Sequence, residues 1–223
     1  MWRFPLFRHG HDHASAQHEP AATRTGARQG SPWGVSIALE RRGFARHLTP
    51  TSLERQFLLS EDPWHFATSS YERRRFAIML ALVQSVPHAR ILEVGCAEGH
   101  FTQHLLRLGE VTAIDLSPTA LARARQRASS ATYLCLRLED LPAVEARYDV
   151  IVCGEVLYYV ADLDATLTLL ERRGRYLVAS NCYPSALRID WALRRYPRLA
   201  WRFLVRPLEL KAASIGLWEL NRG

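Results

Sequence analysis

The spacing of apolar and polar positions along this chain changes near residue 89. Ahead of it, TSLERQFLL from Thr51 repeats apolar residues at helical intervals and stops before Pro63, predicting a short amphipathic helix. A second helix is predicted from Ser69. There Ser69 and Glu72 have capping-box spacing, and Phe76, Ile78, Leu80, Leu82 and Val83 follow before Pro87. From Arg90 onward the pattern becomes short apolar runs: 90–95, 111–116, 133–138, 149–154 and 175–180. Runs this short and apolar on both faces belong to buried parallel strands. Helical stretches separate several of them: FTQHLLRL closes at Gly109, and TALARARQRA opens behind Ser117 as N-cap and Pro118 at the first helical position. The alternation predicts an α/β fold with right-handed crossovers. Beyond Ser180, residues 185–195 read as a helix and 208–220 as one or two last strands.

Residues 1–35 hold the run HGHDH, Gly-Ser-Pro breaks and no sustained period, so a mobile, basic, His-rich arm is expected there. Residues 36–223 are then one domain: pre-sheet helices (51–88), a ligand-binding core (89–180) and a C-terminal segment (181–223).

Composition narrows the class. A 223-residue chain with 48% hydrophobic and 23% charged residues can bury a large core, which excludes wholesale disorder and collagen-like or disulfide-scaffold readings. The longest apolar run, Phe76 to Val83, is far short of the roughly 20 residues a bilayer span needs. MWRFPLFRHG is too interrupted to serve as a signal segment, so a cytoplasmic location is expected. Cys96, Cys135, Cys153 and Cys182 are too widely spaced for a CxxC metal pair and read as small buried hydrophobes. The net charge of +7 raises nucleic acid as a partner, but between Arg90 and Asp164 there are eleven acidic and seven basic residues, so the excess lies outside the sheet. Arg172, Arg173, Arg175, Arg188, Arg194, Arg195, Arg198, Arg202 and Arg206 read first as a solvated face, with an acidic acceptor as the functional alternative. No metal site is expected. His9, His11 and His13 lack a second shell on an arm, and His100 and His104, at i and i+4, read as surface or packing residues.

In a doubly wound sheet, ligands bind where the first strand hands over to its helix. Here that turn is Glu93-Val-Gly95-Cys96-Ala97-Glu-Gly99-His100. The dinucleotide fingerprint G-x-G-x-x-G is absent, which disfavours a pyrophosphate cradle and a nicotinamide oxidoreductase. Glu93 at the strand end suits a ligand with a cationic head. Asp115 ends the next strand twenty residues after Gly95, where a carboxylate can accept from both hydroxyls of a ribose.

The set RILEVGCAEGHFT, VTAIDLSP and DVIVCGEVLYYV, over about residues 60 to 180, resembles the class I S-adenosylmethionine-dependent methyltransferases. The stretch DPWHFATSSYERRRF, joined to LEVGCAEGHFT and EVLYYV, is similar to the NodS family, which N-methylates the free amine of a deacetylated chitooligosaccharide. The resemblance implies a Rossmann-like fold, with a mostly parallel seven-stranded sheet and helices on both faces, and S-adenosylmethionine as cofactor. It implies that Gly95, Ala97 and Gly99 pack against the methionine portion, that Glu93 orients its ammonium, and that Asp115 binds the ribose. Leu138, Glu139 and Asp140 would flank adenine, and Cys96, Leu116 and Gly154 complete the cofactor set. Trp64 and Tyr71 form either a lid over the cofactor or an aromatic staple docking the pre-sheet helix. Two positions depart from the superfamily: Ala97 stands where glycine is common, and Arg137 where many members have Asp.

Methyl transfer is an in-line displacement, so positioning supplies most of the catalysis. Glu155, Tyr158 and Tyr159 follow the fourth strand and are the candidate catalytic residues: a carboxylate or phenol there can accept a proton from an amine, and tyrosine faces favour a sulfonium or ammonium. Otherwise Glu155 orients cofactor or caps the next turn, and one of the tyrosines points into the core. The expected partner is a small acceptor, an amino sugar or saccharide amine. The alternatives are O-methylation of a sugar or small metabolite and a cofactor-binding protein without turnover. CGEVLYY lacks the NPPY-type motif of amino-adenine methyltransferases, which argues further against nucleic acid.

Overall fold

A computed structural model describes residues 49–143, 147–207 and 210–221; the expected arm of residues 1–35 lies outside them. The elements in chain order are α1 (Pro50–Leu59), α2 (Ser70–Gln84), β1 (Arg90–Val94), α3 (Thr102–Leu105), β2 (Glu110–Asp115), α4 (Pro118–Arg127) and β3 (Thr132–Cys135). A 3-10 turn (Leu138–Ala143) leads to β4 (Tyr148–Gly154), α5 (Leu163–Arg173), β5 (Gly174–Cys182), α6 (Ser185–Leu193), β6 (Arg198–Arg206) and β7 (Lys211–Glu219).

The N-capping signals act as the sequence predicts. The Ser69 hydroxyl accepts from the Glu72 N–H at 3.3 Å, and the Ser117 hydroxyl accepts from the Ala120 N–H at 3.0 Å with Pro118 inside the first turn. Gly109 does not cap α3, whose C-cap is Leu106; glycine is needed there because a Cβ would lie 2.4 Å from the His88 carbonyl oxygen.

The seven strands run in the order β3-β2-β1-β4-β5-β7-β6. The β3-β2-β1-β4-β5 block is parallel, while β7 pairs antiparallel with both β5 and β6. One face of the sheet buries Met79 and Val83 of α2 and Leu121 and Ala124 of α4. The other buries Leu163, Leu167 and Leu170 of α5 and Ile189 and Leu193 of α6. Strand order reverses between β1 and β4, which places a crevice outside their carboxyl ends.

Two expectations are corrected. FTQHLLRL forms only the single α-turn Thr102–Leu105, flanked by looser turns, so His100 precedes the helix. The final strands are β6 and β7, and β6 lies in the arginine-rich stretch read as a solvated face: its alternating Leu199, Trp201, Phe203 and Val205 are exposed along a sheet edge.

Candidate active site

The turn after β1 is fixed by backbone geometry. The Gly95 and Cys96 N–H groups donate to the Ile114 carbonyl at 2.8 and 3.1 Å, tying the turn to β2. Gly95, Ala97 and Gly99 have φ of +73°, +47° and +79°. Ala97 holds this left-handed conformation at a cost of about 1 kcal/mol, offset by its N–H, which donates to Asp115 Oδ2 at 2.9 Å. The Ser117 N–H donates to Oδ1 at 3.0 Å, so Asp115 brackets the turns after β1 and β2. Burial raises the Asp115 carboxyl above its ordinary value, opposed by these N–H groups. Each oxygen keeps a lone pair for a further donor.

Glu93 is 4% exposed and accepts from Thr102 Oγ1 at 2.6 Å. Burial pushes its carboxyl up to about 8; the Thr102 bond opposes this and the Asp115 charge adds to it. A cationic partner would recover the ionised form. The Cys96 thiol is raised well above its ordinary range by burial, which makes it an inert wall atom.

Glu93, Val94, Gly95 and Cys96 line a small cleft together with Val152 and Gly154 of β4. Phe66, Phe76 and Phe101 make it apolar, and His100 and, from α2, Arg75 and Met79 also line it. Arg75 is 2% exposed. Its Nε donates to Glu72 at 2.7 Å, Nη2 pairs with the same oxygen at 2.7 Å, and Nη1 reaches only the Met79 sulfur at 3.6 Å. Phe76 stacks under the guanidinium at 4.9 Å. A Cβ on Gly154 would lie 3.2 Å from Nη1, so glycine there lets the guanidinium reach the sheet. Sequence reasoning passed over Arg75. Its signal was an arginine on the buried stripe Tyr71, Arg75, Met79, Leu82.

The other expected residues separate into three groups. Gly95 lines the cleft, and a Cβ on Gly99 would meet Ala124 of α4 at 3.1 Å, so the close packing of α4 on the turn requires glycine there. Leu138 is buried in the core, Glu139 and Asp140 are exposed, and Glu139 pairs with Arg137 at 3.6 Å; none of the three lines the cleft. Leu116 is half-buried beside Asp115.

Trp64 and Tyr71 do different things. Trp64 packs with Leu53 and Phe66 on a cluster of Phe57, Ala97 and Ala120, so the aromatic segment sits directly on the glycine turn. α1 is strapped to the start of α4: Glu54 accepts from the Ser117 and Thr119 hydroxyls, while Arg123 donates to the Phe57 and Ser60 carbonyls at 2.9 Å. Tyr71 is buried, and burial together with the Glu155 and Glu72 charges drives its phenol far above the ordinary range.

Glu155 has φ of +63°, and its N–H donates to the Ser180 carbonyl at 2.8 Å. Its carboxylate accepts from Ser180 Oγ at 2.7 Å, the Cys182 N–H at 2.9 Å and Tyr158 Oη at 3.1 Å, so it braces the ends of β4 and β5. Burial holds the Tyr158 phenol protonated, and Tyr159 packs on it with ring centroids 4.3 Å apart.

Residues 49–179 match the family described as Nodulation protein S (NodS). The chain is 35% identical over 147 residues to Nodulation protein S of Sinorhizobium fredii, covering 64% of this chain and 68% of that protein. It is 37% identical over 137 residues to Nodulation protein S of Rhizobium tropici, covering 60% of this chain and 57% of that one. Among solved structures, the N-methyltransferase NodS of Bradyrhizobium japonicum WM9 in complex with S-adenosyl-L-homocysteine superposes with a TM-score of 0.68 at 23% identity, over 76% of this chain and 96% of that chain. The chain belongs to the NodS family and is a class I S-adenosylmethionine-dependent methyltransferase of that type.

Proposed function

We propose that this methyltransferase acts on the free amine of an amino sugar or deacetylated oligosaccharide, with Arg75 and Glu93 holding the two charges of the cofactor's methionine end. The observation that carries the cofactor half is the pairing of a buried guanidinium and a buried carboxylate on one apolar cleft. A zwitterionic amino-acid head fits that donor set: Arg75 Nη1, now facing only a thioether, donates to the carboxylate, and Glu93 accepts from the ammonium. Asp115 uses its remaining lone pairs for the ribose hydroxyls. When bound, S-adenosylmethionine supplies a methyl group on a sulfonium, a strong electrophile with a neutral leaving group.

The chain's own work is then positioning. The wall of Phe66, Phe76 and Phe101 excludes water, and the Glu155 brace fixes the edge past which the acceptor enters. Glu155 already accepts three hydrogen bonds and Tyr158 spends its proton on Glu155, so we read Glu155, Tyr158 and Tyr159 as positioning residues rather than proton acceptors. This favours an amine. A sugar amine flanked by electronegative oxygens titrates nearer the α-amino range of roughly 7.7–8.0 than lysine's, so part of it is neutral at about pH 7.5 and can attack without a protein base, whereas an alcohol needs a base held against it.

The acceptor side follows from the same edge. Tyr183, next to Cys182 at the end of β5, meets Phe203 edge-on at 5.3 Å, and Phe203 stacks on Trp201 at 6.1 Å. An exposed aromatic shelf of this kind fits the apolar faces of pyranose rings. The test is a side-by-side assay of a deacetylated and a fully N-acetylated chitooligosaccharide with S-adenosylmethionine, read by mass spectrometry. Methyl transfer to the free-amine oligosaccharide alone is expected; methylation of the acetylated one overturns the amine assignment in favour of a hydroxyl.

A further inference from the structure

We propose that Asp62, Glu98 and His100 form a site for a divalent transition-metal cation that clasps the segment between α1 and α2 onto the glycine turn. One ligand atom from each of these residues lies within 4.8 Å of the others. Glu98 is fully buried, and beyond its own backbone N–H its carboxylate oxygens have no hydrogen-bond partner. His100 is 8% exposed, and its Nε2 is likewise buried without a partner. A carboxylate and an imidazole nitrogen buried together with no donor between them cost stability unless something cationic sits there.

The backbone is arranged to aim these groups. Glu98 sits between Ala97 and Gly99, both at positive φ, so the turn directs its side chain inward. Asp62 is oriented by the Phe66 N–H on Oδ1 at 2.8 Å and the Ala67 N–H on Oδ2 at 2.9 Å, and each oxygen keeps lone pairs for a metal. The His100 ring is held by Phe66, 5.9 Å between centroids.

Nearby arginines do not fill the role. Both terminal nitrogens of Arg123 go to the Phe57 and Ser60 carbonyls, and Arg127 Nη1 donates to the Glu98 backbone carbonyl, not its carboxylate.

Two carboxylates and one imidazole suit Zn²⁺ or Mn²⁺, with open positions for water; an all-oxygen cation such as Mg²⁺ gains little from the imidazole. The ion would tie down the stretch that carries Trp64 and Phe66, of which Trp64 covers Ala97 and Phe66 lines the cleft. The expected consequence, tighter cofactor binding in the metal-loaded protein, rests on the methyltransferase reading; metal binding itself does not.

The test uses the full chain stripped with chelator, with His9, His11 and His13 changed to Asn to silence the HGHDH run. It is titrated with ZnCl₂, MnCl₂ and MgCl₂ by calorimetry, and the site is read independently from the visible spectrum of the Co²⁺-loaded protein. One Zn²⁺ or Mn²⁺ per chain is expected, with a rise in melting temperature on loading and no response to Mg²⁺. Glu98→Gln and His100→Gln should each weaken binding by about 100-fold, and their circular dichroism shows whether they fold. If the wild type takes up no ion at millimolar concentration, or if the variants bind as tightly as the wild type, the site is refuted and Glu98 and His100 share a proton instead. If a variant fails to fold, the Co²⁺-loaded wild type decides alone: absorption bands distinct from those of aqueous Co²⁺ support the site, and a spectrum identical to the aqueous ion refutes it.

Discussion

The two halves of the sheet solve opposite problems. Around β1, β2 and β4 the polar groups that matter are buried and pinned: Glu93, Asp115 and Arg75 are each under 8% exposed and held by hydrogen bonds or an ion pair. At the other end, β6 and β7 form an antiparallel edge whose Leu199, Trp201, Phe203 and Val205 face solvent. The first arrangement suits one fixed ligand whose charges must be met in a dry site; the second leaves an apolar edge open to solvent. The family match covers residues 49–179, the first half alone.

The largest expected effect falls in the buried half. Arg75→Met keeps the length and apolar stem of the side chain but removes the charge, and affinity for S-adenosylhomocysteine should fall by about 100-fold, roughly 2.7 kcal/mol. Because Glu72 loses its ion-pair partner, the variant should also unfold at a lower denaturant midpoint, by about 1–3 kcal/mol, while staying folded in buffer. A variant that unfolds early but binds normally would make Arg75 a structural residue.

Gly99→Val comes next. It adds a branched side chain at φ +79°, 3.1 Å from Ala124, and should destabilise the protein by about 2–4 kcal/mol in urea unfolding.

The third effect is a pH dependence. Glu93 carries a carboxyl raised from 4.5 to about 8, so between those values the folded ligand-free protein holds a proton that the unfolded chain has released. The stability this contributes is full below pH 4.5 and lost as pH rises towards 8. Glu93→Gln should therefore flatten the fall in stability across that window, measured by denaturation at a series of pH values. An unchanged slope would place the proton elsewhere.

The smallest effect tests the open half. Trp201→Ala should raise the acceptor KM by about five- to tenfold, near 1 kcal/mol, and leave S-adenosylhomocysteine affinity unchanged. Loss of both would join the two halves into one site.

The difference between the halves also explains what was legible in the sequence. Ser69, Ser117-Pro118 and the glycine turn act through local spacing, and each stands where the spacing places it. Arg75 went unread because a stripe of buried positions is recognised by its apolar members, and a guanidinium paired with Glu72 and stacked on Phe76 breaks that pattern. β6 went unread because the arginines set among Leu199, Trp201, Phe203 and Val205 read as a solvated face, and an edge strand buries little on either side. His100 was paired with His104 on a helix that begins only at Thr102; the structure sets it beside Glu98 and Asp62 instead, a grouping no local period can reveal.

The central claim is that the cleft at the ends of β1 and β4 binds S-adenosylmethionine through fixed charges and through Asp115. Calorimetric titration of S-adenosylhomocysteine into the wild type and Asp115→Ala, with NADH as a control, tests it most directly. Binding to the wild type, weakened about 10- to 100-fold by Asp115→Ala, with no heat from NADH, is the predicted result. A correctly folded wild type that binds no S-adenosylhomocysteine, or binds NADH equally well, would contradict it.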